Sequence, residues 1–216
     1  MFDIKKNMIL EEPLIIDNCI PVSLQDEIES MCKNSNFMWS FWPTKIEDYL
    51  LKENSPVRKL KLTDNSKDGP QWAHEVYYNM LNPPLRDNNT FLKLYNLLTV
   101  IPFTCKKLIR MKVNMRVNTH NFGEESHCIP HVDISNPDGD LITAVYYVND
   151  CDGPTILFNE KEGHRGELSI KTKVSPKKGR MLIFNGKTFH AANEPRGDIP
   201  RYIININIIP HINEDE

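Results

Sequence analysis

The sequence predicts an α+β chain in which a helical first part supports an all-β second part. Three observations carry this. Apolar residues recur at helical spacing in two early stretches, short segments rich in β-branched residues follow from about Leu108, and Gly, Pro, Asn and Asp separate those segments. The division falls near residue 100, giving a helical support region over 1–100 and a β core over 101–216, the two forming one structural unit.

In chain order, Leu24, Ile28, Met31 and Cys32 share one helical face, and Ser23 followed by Asp26 has the pattern of an N-cap. A helix from about Leu24 to Lys33 is expected. A second starts after Asn89, with Phe91, Leu94, Tyr95 and Leu98 as its apolar stripe. Between them, Trp39, Phe41 and Trp42 are read as core or helix-packing aromatics in preference to a substrate platform. The run TDNSKDGP, from Thr63 to Pro70, is rich in turn formers and reads as a surface loop.

The later segments LIRMKVNMRV, LITAVYYVN, PTILFN, ELSIKTKV, GRMLIFN and RYIININII read as strands of a sandwich or barrel. In the last of them Tyr202, Ile204, Ile206 and Ile208 fall on one face, with Arg201, Ile203, Asn205 and Asn207 on the other. If the helices cover the apolar face, the Arg and Asn face looks either into solvent or into a polar cavity inside the barrel.

Bulk properties narrow the function classes. A net charge of −3 with acids and bases interspersed disfavours strong binding to nucleic acid or anionic membranes. No apolar run approaches the ~20 residues of a membrane span, and acids flank the short apolar stretch in MFDIKKNMILEEPL, so a soluble, unexported protein is expected. Cys19, Cys32, Cys105, Cys128 and Cys151 are odd in number, scattered and without C-x-x-C. That argues against a disulfide framework or thiolate zinc site and for a reducing cytoplasm.

The chemistry centres on His131-Val132-Asp133. On an extended segment residues i and i+2 share a face, so imidazole and carboxylate can converge on one ion. A third ligand must come from another strand, and His190 arrives at the end of GRMLIFNGKTFH. Two His and one carboxylate on one side of an ion leave open positions, the facial arrangement of non-haem Fe(II) oxygenases. Zinc accepts the same ligands, so this set alone leaves the metal open. Arg201, on the polar face of the last strand, offers a planar fork for a carboxylate, and Tyr147 could add a phenolic hydrogen bond to it.

Other candidates read more simply. His127 is a loop or substrate-side residue, and His74, His120, His164 and His211 are exposed or hydrogen-bonded histidines. Arg196, in the turn EPRGDIP, is a solvated charge. The segment from Thr119 to Pro130 leads straight to the H-x-D pair, either as a substrate lid or as an ordinary connector.

HVDISNPDGDLITAVYYVND, DGPTILFN and KKGRMLIFNGKTFHAANEPRGDIPRYIININI together resemble the prolyl-4-hydroxylase-like branch of the 2-oxoglutarate- and Fe(II)-dependent dioxygenases, over roughly His131 to Ile209. The upstream IIDNCIPVSLQDEIESM and FMWSFWP are similar to the lead-in of small, often phage-encoded members, for which the compartment would be the host cytoplasm. The resemblance implies a double-stranded β-helix (jelly roll) buttressed by the N-terminal helices, with the site at its open end. It implies His131, Asp133 and His190 as iron ligands, Arg201 as the cation for the 2-oxoglutarate C5 carboxylate, and Tyr147 as the tyrosine supporting that carboxylate. Where many members place a cosubstrate-contacting Tyr before H-x-D, this chain offers Asn118 or Arg116.

The implied activity is hydroxylation, using Fe(II), 2-oxoglutarate and O₂ with ascorbate as auxiliary reductant, and releasing succinate and CO₂. The implied substrate is a protein side chain, with peptidyl proline the family-level choice, or a small molecule. Asp133 favours oxygenation, since related halogenases lack a carboxylate at that position. The alternative is a metal-binding jelly roll without 2-oxoglutarate chemistry, either a zinc or manganese enzyme or a non-catalytic structural module. Arg201 discriminates, because a zinc hydrolase does not need it.

Overall fold

A computed structural model describes residues 10–43, 60–81, 83–134 and 140–211; most of the opening segment inspected for a targeting signal, residues 1–9, lies outside these. The elements are β1 (Leu14–Ile16), α1 (Val22–Lys33), β2 (Ser40–Trp42), β3 (Ser66–Lys67), β4 (Gln71–Tyr78), β5 (Leu85–Arg86), α2 (Asn88–Leu94) and α3 (Asn96–Val100). There follow β6 (Cys105–Arg116), β7 (His127–Cys128), β8 (Ile142–Tyr147), β9 (Thr155–Lys161), β10 (Ile170–Val174), β11 (Met181–Asn185), β12 (Thr188–Ala192) and β13 (Arg201–Pro210).

An 8-stranded sheet runs β1-β11-β8-β13-β6-β4-β2, with β5 added to β4. A 3-stranded sheet, β10-β9-β12, faces it, and β3 pairs with β7. Val145, Tyr147, Leu182 and Ile203 of the large sheet pack on Leu157 and Val174 of the small one, which makes the inside of a jelly roll. The outer face of the large sheet carries Ala144, Tyr146, Ile204, Ile206 and Ile208. Ile28 and Cys32 of α1, Phe91 and Leu94 of α2 and Leu97 of α3 cover it. The apolar face of the last strand is thus the seat of the helices, and its polar face looks into the roll. No helix among the described residues is long and apolar enough to cross a membrane.

Several local details differ from the sequence reading. Helix α1 opens at Val22 after Pro21, whose φ of −54° and ψ of 144° set an extended entry, and no side chain caps it. Ser23 therefore lies inside the first turn and is not the N-cap. Gln25 instead secures this end by donating to the Ile20 carbonyl at 2.9 Å. The second helix begins at Asn88 and is capped by Asp87, which accepts from the amides of Asn89 and Thr90. It breaks at Tyr95, so Leu97 takes the buried place expected for Leu98, and Tyr95 is exposed.

The first hundred residues also contribute strands. β4, QWAHEVYY, sits between β2 and β6, although its His74 and Glu75 interrupt the apolar pattern. Trp39 packs on the core beside Tyr202, as expected of a core aromatic. Phe41 and Trp42 do not: both are exposed on the edge strand β2, where Phe41 meets Trp72 at 5.1 Å. The Thr63 to Pro70 loop carries β3, which pairs in parallel with β7 through Ser66 to His127 and Lys67 to Cys128. That ties the loop to the segment leading into the H-x-D pair.

Candidate metal centre

His131 and His190 meet across an isolated antiparallel bridge, each amide donating to the other's carbonyl at 2.9 and 3.0 Å. The bridge fixes the two rings side by side, with centroids 4.7 Å apart. Each Nδ1 rests on a backbone carbonyl, His131 on Ile129 at 3.0 Å and His190 on Thr188 at 3.2 Å. A carbonyl can only accept, so Nδ1 carries the proton and Nε2 keeps its lone pair for a metal. Both Nε2 atoms face Asp133, at 4.0 Å from Oδ1 for His131 and 3.5 Å from Oδ2 for His190. The ligand atoms of the three residues lie within 4.8 Å of one another.

Asp133 is held from behind. Arg110 donates to Oδ1 at 2.8 Å, while Asn205 and Asn207 donate to Oδ2 at 2.9 and 3.2 Å. Burial alone would raise this carboxyl, but the charge of Arg110, with His190 and His131, keeps it well below the usual carboxylate range. The donor set, two imidazole Nε2 atoms and an ionised carboxylate fixed by outer partners, fits a divalent transition metal.

The cavity in front of these ligands holds about 550 Å³ of empty space, counting its open mouth, and Arg201, Thr155, Arg116, Lys112 and Gln71 are in its lining. Arg201 enters the interior from the start of β13 and is 3% exposed. Its Nε donates to the Gly153 carbonyl and its Nη2 to Thr155 Oγ1, each at 2.8 Å. Gly153 must be glycine because the 193–195 backbone passes against it: a Cβ there would stand 2.8 Å from the Asn193 carbonyl and from the Pro195 nitrogen. Tyr147 donates to the same Thr155 Oγ1 at 2.7 Å, so it meets Arg201 through Thr155 and does not itself line the cavity. Burial pushes the Arg201 guanidinium down, though a guanidinium remains charged.

The two residues offered for the missing Tyr separate. Arg116 lines the cavity. Asn118 does not: it is spent on the loop, donating to the Arg196 carbonyl and accepting from the His120 amide, because it stands beyond the end of β6. Asn118 thus stands outside the cavity, contrary to the expectation that it contacts the cosubstrate. His127 is buried against Phe158, outside the cluster, with Nδ1 on the Cys128 carbonyl. Arg196 is exposed near Glu124 and Asp152.

The sequence reading missed Thr155, Lys112 and the hold of Arg110 on Asp133. A signal for two of them existed, since Arg110, Lys112, Asn114 and Arg116 alternate along β6 and so share one face. Cross-strand register sets that face beside the polar one of β13, pairing Arg116 with Arg201, Lys112 with Asn205 and Arg110 with Asn207.

Residues 115–209 match the family described as the 2OG-Fe(II) oxygenase superfamily. No curated protein matches the chain in sequence. Among solved structures, the α-ketoglutarate-dependent epimerase SnoN of nogalamycin biosynthesis is similar at 13% identity and TM-score 0.57, over 92% of this chain and 78% of that one. A prolyl hydroxylase from Trichoplax adhaerens, solved with a hypoxia-inducible-factor peptide fragment, is similar at 16% identity and TM-score 0.54, over 93% and 84%. A Pseudomonas putida prolyl-4-hydroxylase gives 10% identity and TM-score 0.53, over 92% of each chain. At these identities the likeness is one of fold.

Proposed function

We propose, since residues 115–209 match the 2OG-Fe(II) oxygenase superfamily, that the cavity holds Fe(II) on His131, Asp133 and His190 and the far carboxylate of 2-oxoglutarate on Arg201. The observation that carries the assignment is that the three ligands and a buried guanidinium line one cavity. When bound, iron supplies the chemistry of O₂ activation coupled to loss of CO₂ from 2-oxoglutarate. One oxygen atom enters a C–H bond of the substrate as hydroxyl and the other enters succinate.

The protein's own part is positioning. Arg110, Asn205 and Asn207 keep Asp133 ionised and aimed, and the Ile129 and Thr188 carbonyls set both imidazole tautomers. Thr155, already accepting from Arg201 and Tyr147, has its own hydroxyl proton left to donate to the cosubstrate carboxylate, which brings Tyr147 into that subsite at one remove.

The substrate is a protein side chain or a small molecule. The fold neighbours include one solved with a peptide fragment and one from nogalamycin biosynthesis. The test is succinate formation from 2-oxoglutarate on addition of Fe(II) and ascorbate, followed by mass spectrometry of a treated lysate for gains of one oxygen. Succinate at the wild-type level from a protein lacking Asp133 would refute the assignment.

A further inference from the structure

We infer that Lys112 and Arg116 form a second anion subsite, one that receives a single carboxylate of the substrate. The inference rests on the oxygenase reading in one respect: there the cosubstrate places one carboxylate on the metal and the other on Arg201, so neither is left for the β6 cations.

Lys112 and Arg116 are 8% and 5% exposed, both line the cavity, and both point inward from β6. Burying a charge is costly unless it is paired. Arg116 Nη1 has no hydrogen-bond partner, and its other terminal nitrogen reaches only Gln71, at 3.5 Å. The nearest carboxylate to Nη1, Glu194 Oε1, stands 4.0 Å away and is itself without a hydrogen bond. Lys112 has no ion pair among the described residues, and Glu75, its register partner on β4, has a buried oxygen with no hydrogen bond. Asp133 belongs to Arg110 and the two asparagines.

Charge balance sets the class of ligand. Arg110, Lys112, Arg116 and Arg201 face Asp133, Glu75 and Glu194, which leaves one positive charge over. A divalent metal and a dicarboxylate cosubstrate cancel each other and do not change that surplus. One negative charge closes the balance, and two cations on one strand face suit a carboxylate better than a neutral group. Burial, with the charge of Arg110, pushes the Lys112 ammonium down to about 8, in spite of Glu75 and Asp133, as expected of a cation short of partners.

The test uses the whole protein loaded with Mn(II) and saturated with 2-oxoglutarate. The probes are N-acetylglycine and its uncharged counterpart N-acetylglycinamide, and the readout is paramagnetic relaxation of their acetyl protons. The wild type should relax N-acetylglycine selectively. Lys112→Met and Arg116→Met should each cut that effect by at least ~10-fold, the loss of one charge-assisted contact, while keeping 2-oxoglutarate affinity. Lys112→Arg should retain most of it.

Equal relaxation of the two probes by the wild type overturns the subsite, and this comparison needs no variant to fold. So does a loss of 2-oxoglutarate affinity in the Met variants as large as their loss of N-acetylglycine, which would assign the cations to the cosubstrate. A wild type that binds Mn(II) but not 2-oxoglutarate counts instead against the oxygenase reading, and the same probe comparison with Mn(II) alone then decides the subsite.

Discussion

Strand β13 serves two regions of the molecule at once. On one side Tyr202, Ile204, Ile206 and Ile208 lie under the helices. On the other, one residue along in each case, Arg201, Asn205 and Asn207 reach Thr155, Asp133 and Thr143. The outer face is held mainly by apolar area, which tolerates small shifts. The inner face is held by directed hydrogen bonds to particular atoms, which do not. The period of two residues thus separates stability from chemistry on a single strand, and substitutions on the two sides should fail in different measurements.

The largest effect belongs to the inner face. Asp133→Ala removes a ligand together with the carboxylate that Arg110 holds, so divalent metal affinity by calorimetry should fall by at least ~100-fold. Asn205→Ala removes one support of the same carboxylate and should cost about 10–100-fold. His127→Ala, outside the cluster, should leave metal affinity unchanged. A variant at His127 that loses metal while one at Asp133 keeps it would undo the division of roles.

The outer face should answer in stability. Ile206 is fully buried beneath the helices, and Ile206→Ala should cost ~2–5 kcal/mol of unfolding free energy through lost burial and the cavity left behind. Metal affinity of the folded variant should match the wild type. If it fell together with stability, the two faces would be mechanically coupled and the comparison would not hold.

Arg201→Ala sharpens the inner side further by separating cosubstrate from metal. It should weaken 2-oxoglutarate by at least ~10-fold, the worth of a charge-assisted contact shielded from water, with metal binding nearly unchanged. Arg201→Lys should recover part of the loss, because a point charge replaces a fork. Arg196→Ala, exposed, should be close to silent in the same titration.

What the sequence disclosed follows the same division. Period-two patterning is local, so the two faces of β13 and the pairing of His131 with Asp133 were readable from neighbouring residues. The arrival of His190 was readable too, but not its strand: TFHAA is a separate β12, turned back after Asn185 and Gly186, and too short to announce itself. Thr155 could not be found by pattern, because its role comes from Arg201 and Tyr147 meeting there across two sheets. The exposure of Phe41 and Trp42 depends on β2 being the sheet edge, a fact of topology that composition does not carry.

The smallest expected effect lies at the rim of the outer region, at Asp87. Its carboxylate caps α2 through the amides of Asn89 and Thr90 and takes His74 Nε2 at 2.9 Å, joining the helix to β4. Burial would raise this carboxyl, but the hydrogen bonds from Thr90 and His74 outweigh it, and the group is lowered from 3.8. A carboxyl lowered on folding adds stability that is present above its unfolded value and is lost as pH falls through its folded one. Asp87→Ala should therefore cost ~1 kcal/mol near neutrality, as a lost N-cap does. The gap between wild type and variant should stay constant down to about pH 5 and close only below about pH 4, where the wild-type carboxyl protonates. Thermal unfolding of both proteins across that range measures it. A gap that closes already above pH 5 would mean that the capping carboxylate does not set the strength of the joint.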